Sequence, residues 1–326
     1  MELYTGKKNI DYNEWSNFVH KNINGNIFQT PEIFNVYEKT RNFKPFIFSV
    51  KDNGILSGIL LAVLQKEHKG IIGRLSSRSI IIGGPLILES PNHKQVFSML
   101  IEGYNKFISK RAIYSQIRNI TDISYFYKTL KGFDFKFENH LNYILNITVG
   151  KEEVWKSMNK KRRNSIKKAI KSNIIISEVK LFDDLELSYK ILLMVYKKAG
   201  IPMADFSLLK SAFILLHNKS MVKVFNAKFG KKTIGTLWLL NYKGRIYNWY
   251  SGSDSSYLSK CPNDLLIWNA IEWGIRNNFD MFDFGGAGNP NENYGVRDFK
   301  RKFGGELTEY GRYMNIHKKF NYKLAL

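Results

Sequence analysis

The residue types able to do chemistry gather in one stretch, Met281 to Tyr313, which reads MFDFGGAGNPNENYGVRDFKRKFGGELTEYGRY. A short apolar run, 281–284, holds one acid, Asp283. Gly285, Gly286 and Gly288 then let the backbone turn tightly and come close to a ligand. A polar loop, 289–293, leads to Arg297, Lys300, Arg301 and Lys302, which are interleaved with Phe299 and Phe303. Gly304-Gly305 closes the unit. A strand, a glycine loop, a basic aromatic segment and a second glycine turn suit the holding of an anion or of a developing oxyanion. The competing reading is a β-turn-β corner with solvated lysines, since a glycine-rich loop without a full fingerprint is not diagnostic.

A second concentration lies at 156–171. Lys156, Lys160, Lys161, Arg162, Arg163, Lys167, Lys168 and Lys171 occur there without an acid, and Trp155, Met158, Ile166, Ala169 and Ile170 fall near one face of a helix. This is either a solvated helix face or a landing strip for the phosphates of tRNA, a nucleotide or a lipid head group. Other chemistries lack support. Cys261 is the only cysteine and no histidine is near it in sequence, so no nucleophile–base pair is suggested. The six histidines are scattered without metal-ligand spacing, and no metal is expected. Phosphate-loop and dinucleotide fingerprints are absent. The usual acyl-CoA turn, Arg/Gln-x-x-Gly-x-Gly/Ala, begins at Arg301-Lys302-Phe303-Gly304 but has Glu306 where Gly or Ala belongs.

The elements that must position these residues follow from periodicity. In the first half, helices are expected at 11–20, 31–40, 95–111 and 125–130. Strands are expected at 45–50, 55–65, 71–75, 79–82, 113–117 and 142–149. Asn53-Gly54 marks a hairpin, and Thr30-Pro31 reads as an N-cap followed by a proline in the first helical position. In the second half, helices are expected at 152–172, 183–200, 206–217 and 262–277, and strands at 174–178, 221–229, 233–242, 245–251 and 279–284. Both halves run helices, an antiparallel meander, a helix and a strand, so a tandem pair of α+β domains is the simplest architecture.

At 326 residues the chain is long enough for two domains of ~150 residues each. Its net charge of +22 favours anionic partners, although an AT-rich coding bias toward Lys, Asn and Ile would raise it as well. One cysteine excludes an internal disulfide and fits a reducing cytoplasm. No apolar run reaches the ~20 residues of a membrane helix, and the N-terminus shows no secretory signal. A soluble protein, working in the cytoplasm or against its membrane face, is expected.

In chain order, Phe28-Gln29-Thr30-Pro31, Lys161-Arg162-Arg163-Asn164, Tyr250-Ser251-Gly252-Ser253, Asp283-Phe284-Gly285-Gly286 and Phe299-Lys300-Arg301-Lys302-Phe303-Gly304 resemble the FemAB/FemX family of peptidoglycan-bridge aminoacyltransferases. The resemblance covers nearly the whole chain. It implies tandem GNAT-like (acyl-CoA N-acyltransferase-like) domains, with mixed sheets flanked by helices and without the coiled-coil arm of larger members. Their expected bounds are 1–145, with the tail 314–326 as a candidate completion, and 146–313. The implied reaction moves an amino acid from aminoacyl-tRNA to an amine of a peptidoglycan-precursor stem peptide, with no cofactor besides the donor. Lys300 matches the family's lysine at the reaction centre, and Tyr250 matches a strand lining the substrate channel. Asp205, Asp283, Gly285, Gly286, Arg297 and Lys302 join them as candidate substrate contacts. Lys160, Lys161, Arg162, Arg163, Lys167 and Lys168 are the candidate tRNA or anion contacts. Asn35 and Ala204 stand where short family members carry a lysine and an arginine for nucleotide phosphates, which ranks a lipid-linked acceptor ahead of a UDP-linked one. The alternatives are a GNAT-type N-acyltransferase using acyl-CoA or another activated donor in cell-envelope polysaccharide assembly, and a basic RNA-binding module.

Overall fold

The computed structural model describes residues 1–66, 77–319 and 321–322, so the expected strand at 71–75 lies outside the described residues. The chain divides into two compact units, one of 1–139 with 310–326 and one of 140–309.

The first unit opens with β1 (Glu2–Thr5), α1 (Tyr12–Lys21) and α2 (Pro31–Glu38). Thr30 Oγ1 accepts from Ile33 N, and Pro31 begins the helix, as the Thr-Pro pair requires. The hairpin β2 (Phe43–Asp52) and β3 (Ile55–Gln65) turns through Asn53 and Gly54, both at positive φ. Then come β4 (Arg78–Ile82), β5 (Leu86–Ile87), α3 (His93–Ile108), β6 (Tyr114–Arg118), α4 (Tyr127–Gly132) and β7 (Lys136–Glu138). The fully buried stripe of α3, made of Val96, Leu100, Tyr104 and Ile108, packs on β2 and β3.

The second unit contains β8 (Asn142–Asn146), α5 (Lys151–Ser157), α6 (Lys160–Lys171), β9 (Ile174–Glu178), α7 (Phe182–Lys198) and α8 (Phe206–Leu216). These are followed by β10 (Val222–Phe229), β11 (Lys232–Tyr242), β12 (Arg245–Ser253), α9 (Pro262–Arg276), β13 (Met281–Gly286), α10 (Gly295–Arg301) and β14 (Glu306–Thr308). The last strand, β15 (Arg312–Ile316), returns to the first unit.

The two sheets match strand for strand. The first runs β1-β2-β3-β4-β6-β15-β7, with β5 beside β3, and the second runs β9-β10-β11-β12-β13-β8-β14. Each is an antiparallel meander ending on one parallel pair, β4 with β6 and β12 with β13. In each, a further strand is inserted antiparallel between the parallel partner and the edge. That strand comes from elsewhere in sequence: β15 for the first sheet, and β8 for the second. This moves the expected boundary. Residues 142–145 belong to the second unit because β8 pairs with β13 and β14, and 310–313 belong to the first because β15 pairs with β6 and β7.

Two further expectations are corrected. The basic segment 152–172 is two helices. Met158 is extended and buried, and Asn159 Oδ1 then caps α6 by accepting from Lys161 N at 2.9 Å. The β-turn-β corner offered as the competing reading of the stretch after Asp283 does not form either: 295–301 is helical, so its side chains rotate by ~100° per residue instead of alternating as in a strand.

Tyr313 in β15 is 2% exposed and its ring lies 5.2 Å from that of Phe137. Tyr313→Ala should lower stability by about 3–5 kcal/mol, measured by urea unfolding. The exposed Tyr125→Ala should change it by less than about 0.5 kcal/mol.

Candidate active site

The parallel pair β12–β13 forms the site by failing to stay paired. It is in register only through Arg245↔Met281, Ile246↔Phe282 and Tyr247↔Asp283. Past that point β12 bulges against β11, so that Trp238 faces Tyr250 while Leu239 faces Asn248, and Trp249 is the extra residue. On the other side β13 leaves through Gly285 at φ +71°. The separated strands border a cleft of about 620 Å³, lined by Asn248, Trp249 and Ser251 of β12, by Phe284–Gly286 of β13, and by residues of α7, α9 and α10. Splayed strands present backbone groups without ladder partners, a setting for an extended, amide-bearing ligand.

Asp283 shapes the turn. It is 2% exposed, and its Oδ1 accepts from Gly285 N at 2.8 Å and from Asn142 Nδ2 at 2.8 Å. The turn aims two carbonyls at one cation. Lys300 Nζ, carried on α10, donates to Gly285 O at 2.9 Å and to Gly286 O at 2.8 Å. Lys300 is 8% exposed yet lines the cleft. Burial pushes its ammonium down to about 8, and the charge of Asp283 opposes that shift. An ammonium has three N–H donors. Two are engaged by the glycine carbonyls, which leaves one for a group in the cleft.

The remaining expected residues are placed as follows. Lys302 ion-pairs with Asp298 and does not line the cleft, so of the two candidate lysines Lys300 faces the site. Arg297 donates to Ala287 O at 2.9 Å, to Pro290 O at 3.2 Å and to Asn289 O. It staples the 287–290 loop and is not among the lining residues. Asp205 caps α8 by accepting from Ser207 N at 3.0 Å and stands outside the cleft. Tyr250 packs its ring 5.9 Å from that of Tyr196, whose residue does line the cleft.

The basic helix separates into two sets. Arg162 is buried. It ion-pairs with Asp264 of α9, donates to Phe299 O at 3.2 Å, and lies 4.1 Å and 4.8 Å from the rings of Phe299 and Phe303. Arg163 donates to the carbonyls of Trp155, Lys156 and Met158, closing the break between α5 and α6. Neither arginine is an exposed anion contact, which corrects that expectation. Their guanidiniums are directed by geometry into the protein, and Arg162 ties α6 and α9 to the helix that carries Lys300. Lys160, Lys161, Lys167 and Lys168 are exposed.

Sequence reasoning missed Tyr196, Asn248, Trp249, Asn263 and Tyr294 as cleft residues. The aromatic cluster Trp249-Tyr250 was the one usable signal, but a bulge decides which of the two meets the cleft. Among the described residues no group of His, Cys, Asp and Glu could hold a metal ion. No described helix is long and apolar enough to cross a membrane.

Residues 160–301 match the family model described as an acetyltransferase (GNAT) domain. No curated protein matches the sequence. Among solved structures, the chain is similar to FemX, at 15% identity over 99% of each chain with a TM-score of 0.73. It is similar to L-PGS from Bacillus licheniformis, at 13% identity over 94% of this chain and 92% of that one, with a TM-score of 0.58. A tandem GNAT protein from the clavulanic acid biosynthesis pathway is also similar, at 7% identity over 97% and 99%, with a TM-score of 0.61. At these identities the likeness establishes the fold, a tandem arrangement of GNAT-like units.

Arg162→Ala leaves the buried carboxylate of Asp264 without its cation and should cost about 3–5 kcal/mol. Lys161→Ala, on the exposed side, should cost less than about 0.5 kcal/mol. Chemical denaturation of the two variants side by side measures the contrast.

Proposed function

We propose that the chain is an N-acyltransferase that moves an aminoacyl group from aminoacyl-tRNA to an amine of a peptidoglycan-precursor stem peptide. The observation that carries this reading is the buried Lys300 ammonium, fixed by two glycine carbonyls with one N–H left over, in a cleft between splayed strands. The described lining holds Ser251, Ser253 and Ser255 but no His, Asp or Glu to activate a hydroxyl as nucleophile, which favours direct transfer over a covalent enzyme intermediate. The acceptor nitrogen attacks the ester carbonyl carbon and forms the C–N bond. The carbonyl oxygen becomes an oxyanion, which the third Lys300 N–H stabilises. Collapse breaks the C–O bond, and the proton lost by the attacking amine goes to the departing ribose oxygen. The donor is already activated, so alignment of amine and carbonyl supplies much of the rate. No bound cofactor or metal is required by this scheme.

A lipid-linked acceptor is preferred to a UDP-linked one. At Asn35 there is a nearby ammonium, Lys7 Nζ at 2.8 Å, but that group is also paired with Glu38 at 3.2 Å. Ala204 brings no charge. The acceptor places the enzyme at the cytoplasmic face of the membrane.

A second reading is an acyl-CoA-dependent N-acyltransferase of cell-envelope polysaccharide assembly, which the acetyltransferase-domain match favours. Its partial pyrophosphate turn, Arg301 to Gly304, lies at the C-terminal end of α10. Helix C-termini carry partial negative charge and repel phosphate, whereas such turns bind anions at helix N-termini. A thiol-release assay with acetyl-CoA distinguishes the two, since aminoacyl-tRNA transfer releases none.

The test is single-turnover transfer from radiolabelled aminoacyl-tRNA to lipid-linked precursor. Lys300→Met should lower the rate by about 10²–10³-fold. The wild-type rate should fall as pH rises through about 8, where Lys300 loses its proton, and Lys300→Arg should remove that limb. Asp283→Asn should bring the limb to lower pH, because the carboxylate charge supports the ammonium. Full activity in Lys300→Met would sink the proposal. Stability has the opposite slope to the rate. The unfolded lysine holds its proton to about 10.4 and the folded one only to about 8. Between those values the unfolded state binds more protons, so stability should rise with pH, by on the order of 3 kcal/mol in all. Chemical denaturation at pH 8 and pH 10 should show the rise in the wild type and lose it in Lys300→Met.

A further inference from the structure

A second concavity, of about 570 Å³, lies on the second unit between α5, α6 and α9, and the transfer chemistry makes no use of it. Its apolar lining is Trp155, Trp268, Leu265 and Ile170, with the two indole rings 4.9 Å apart. Ile170 is 55% exposed, although Ile166, one turn before it, and Ala169, beside it, are fully buried. Lysines surround this apolar patch. Lys151, Lys156 and Lys167 line it, and Lys160 and Lys171 extend the same side of α6 at helical spacing.

The charges here are unevenly compensated. Lys151 is paired with Glu272 at 2.6 Å and Lys156 with Glu153 at 2.8 Å. Glu152 is the remaining acid at the concavity, and it lies in the first turn of α5. The exposed lysines of α6 have no acid on their own helix, and no ion pair among the described residues involves them. An aliphatic side chain held in water beside an indole-lined hollow, within a rim of uncompensated ammonium groups, has the chemistry of a helix lying in a lipid–water interface.

We propose that this face, α5–α6 with the hollow against α9, docks on an anionic phospholipid bilayer. Ile170 enters the acyl–headgroup boundary beside the packed indoles of Trp155 and Trp268, and Lys167, Lys171 and Lys160 meet lipid phosphates. The lysine stems cover apolar surface while their heads stay in water. Each such lysine is worth about fivefold in partitioning onto an anionic surface, so several together with a shallow apolar insertion give reversible binding. RNA is the other polyanion that such lysines attract. It would use stacking on exposed aromatic faces, but Trp268 is 5% exposed and Trp155 is packed against it, while the exposed group is aliphatic. The lipid bilayer is therefore the favoured occupant. The inference is independent of which acyl donor or acceptor the Lys300 cleft uses.

The experiment is co-sedimentation of the full chain with vesicles of phosphatidylcholine alone and of an equimolar phosphatidylcholine–phosphatidylglycerol mixture, at low and at raised salt. Binding is expected only to the mixed vesicles, and raised salt should weaken it. Ile170→Asp, at an exposed position that the core does not need, should lower the partition coefficient by at least about tenfold. Lys167→Glu with Lys171→Glu should lower it by a similar or larger factor. Unfolding midpoints of these variants should match the wild type. Transfer to a water-soluble acceptor peptide separates this face from the cleft: Ile170→Asp should leave it unchanged, whereas a Lys300 variant loses it with or without vesicles. The proposal is overturned by equal binding to neutral vesicles or by no binding to the mixed ones. It is equally overturned if Ile170→Asp leaves vesicle binding intact while charge reversal abolishes retention of a tRNA-sized RNA, which would identify an RNA surface.

Discussion

A buried ammonium constrains the site more than any other group. Lys300 is removed from water, and a lone charge in such a place would be costly. The chain meets the cost with two backbone carbonyls and a nearby carboxylate. Those carbonyls point the right way because Gly285 takes a left-handed conformation and Asp283 pins its N–H. Asp283 is in turn held by Asn142 from β8, the strand inserted beside β13. The glycine turn, the inserted strand and the short helix α10 are thus conditions for one charge to remain where it is. A lysine so held is aimed more narrowly than a solvated one, and a fixed donor is what a preorganised electrostatic site needs, although burial makes its proton easier to lose.

The same logic divides the basic helix. A run of lysines and arginines looks uniform in sequence, but α6 sends its two arginines inward and its lysines outward. Planar guanidiniums can stack on Phe299 and Phe303 and bridge carbonyls, and they stay charged when buried. Arg162 therefore acts as a joint between α6, α9 and the helix bearing Lys300. The lysines, each with a compact and strongly hydrated head, remain available to outside anions.

The repeated sheet order explains how one architecture supports both a scaffold and a cleft. In each unit a meander meets a single parallel partner, and the junction is where strands can separate. In the second unit the bulge at Trp249 and the turn at Gly285 widen that junction into a cleft. Full hydrogen bonding between β12 and β13 would have filled the same space with ladder contacts.

Much of this was legible in the sequence because it depends on local forces. Thr30-Pro31 starts a helix, Asn53-Gly54 turns a hairpin, and period-2 and period-3.6 patterns place the meander strands and the long helices, since each is decided within a few residues. The stretch around Asp283, Gly285, Gly286 and Lys300 also stood out by residue type. What sequence could not decide were facts that depend on distant partners. Whether 142–146 closes the first sheet or the second depends on pairing with β13, far along the chain. Whether Arg162 meets solvent or Asp264 depends on α9. Whether Lys300 or Lys302 faces the cleft depends on 295–301 being a helix packed on Phe303 and Arg162. Local propensity sets the elements, but burial and hydrogen bonding across the fold decide which side of each element is inside. The chemistry rests on that second choice.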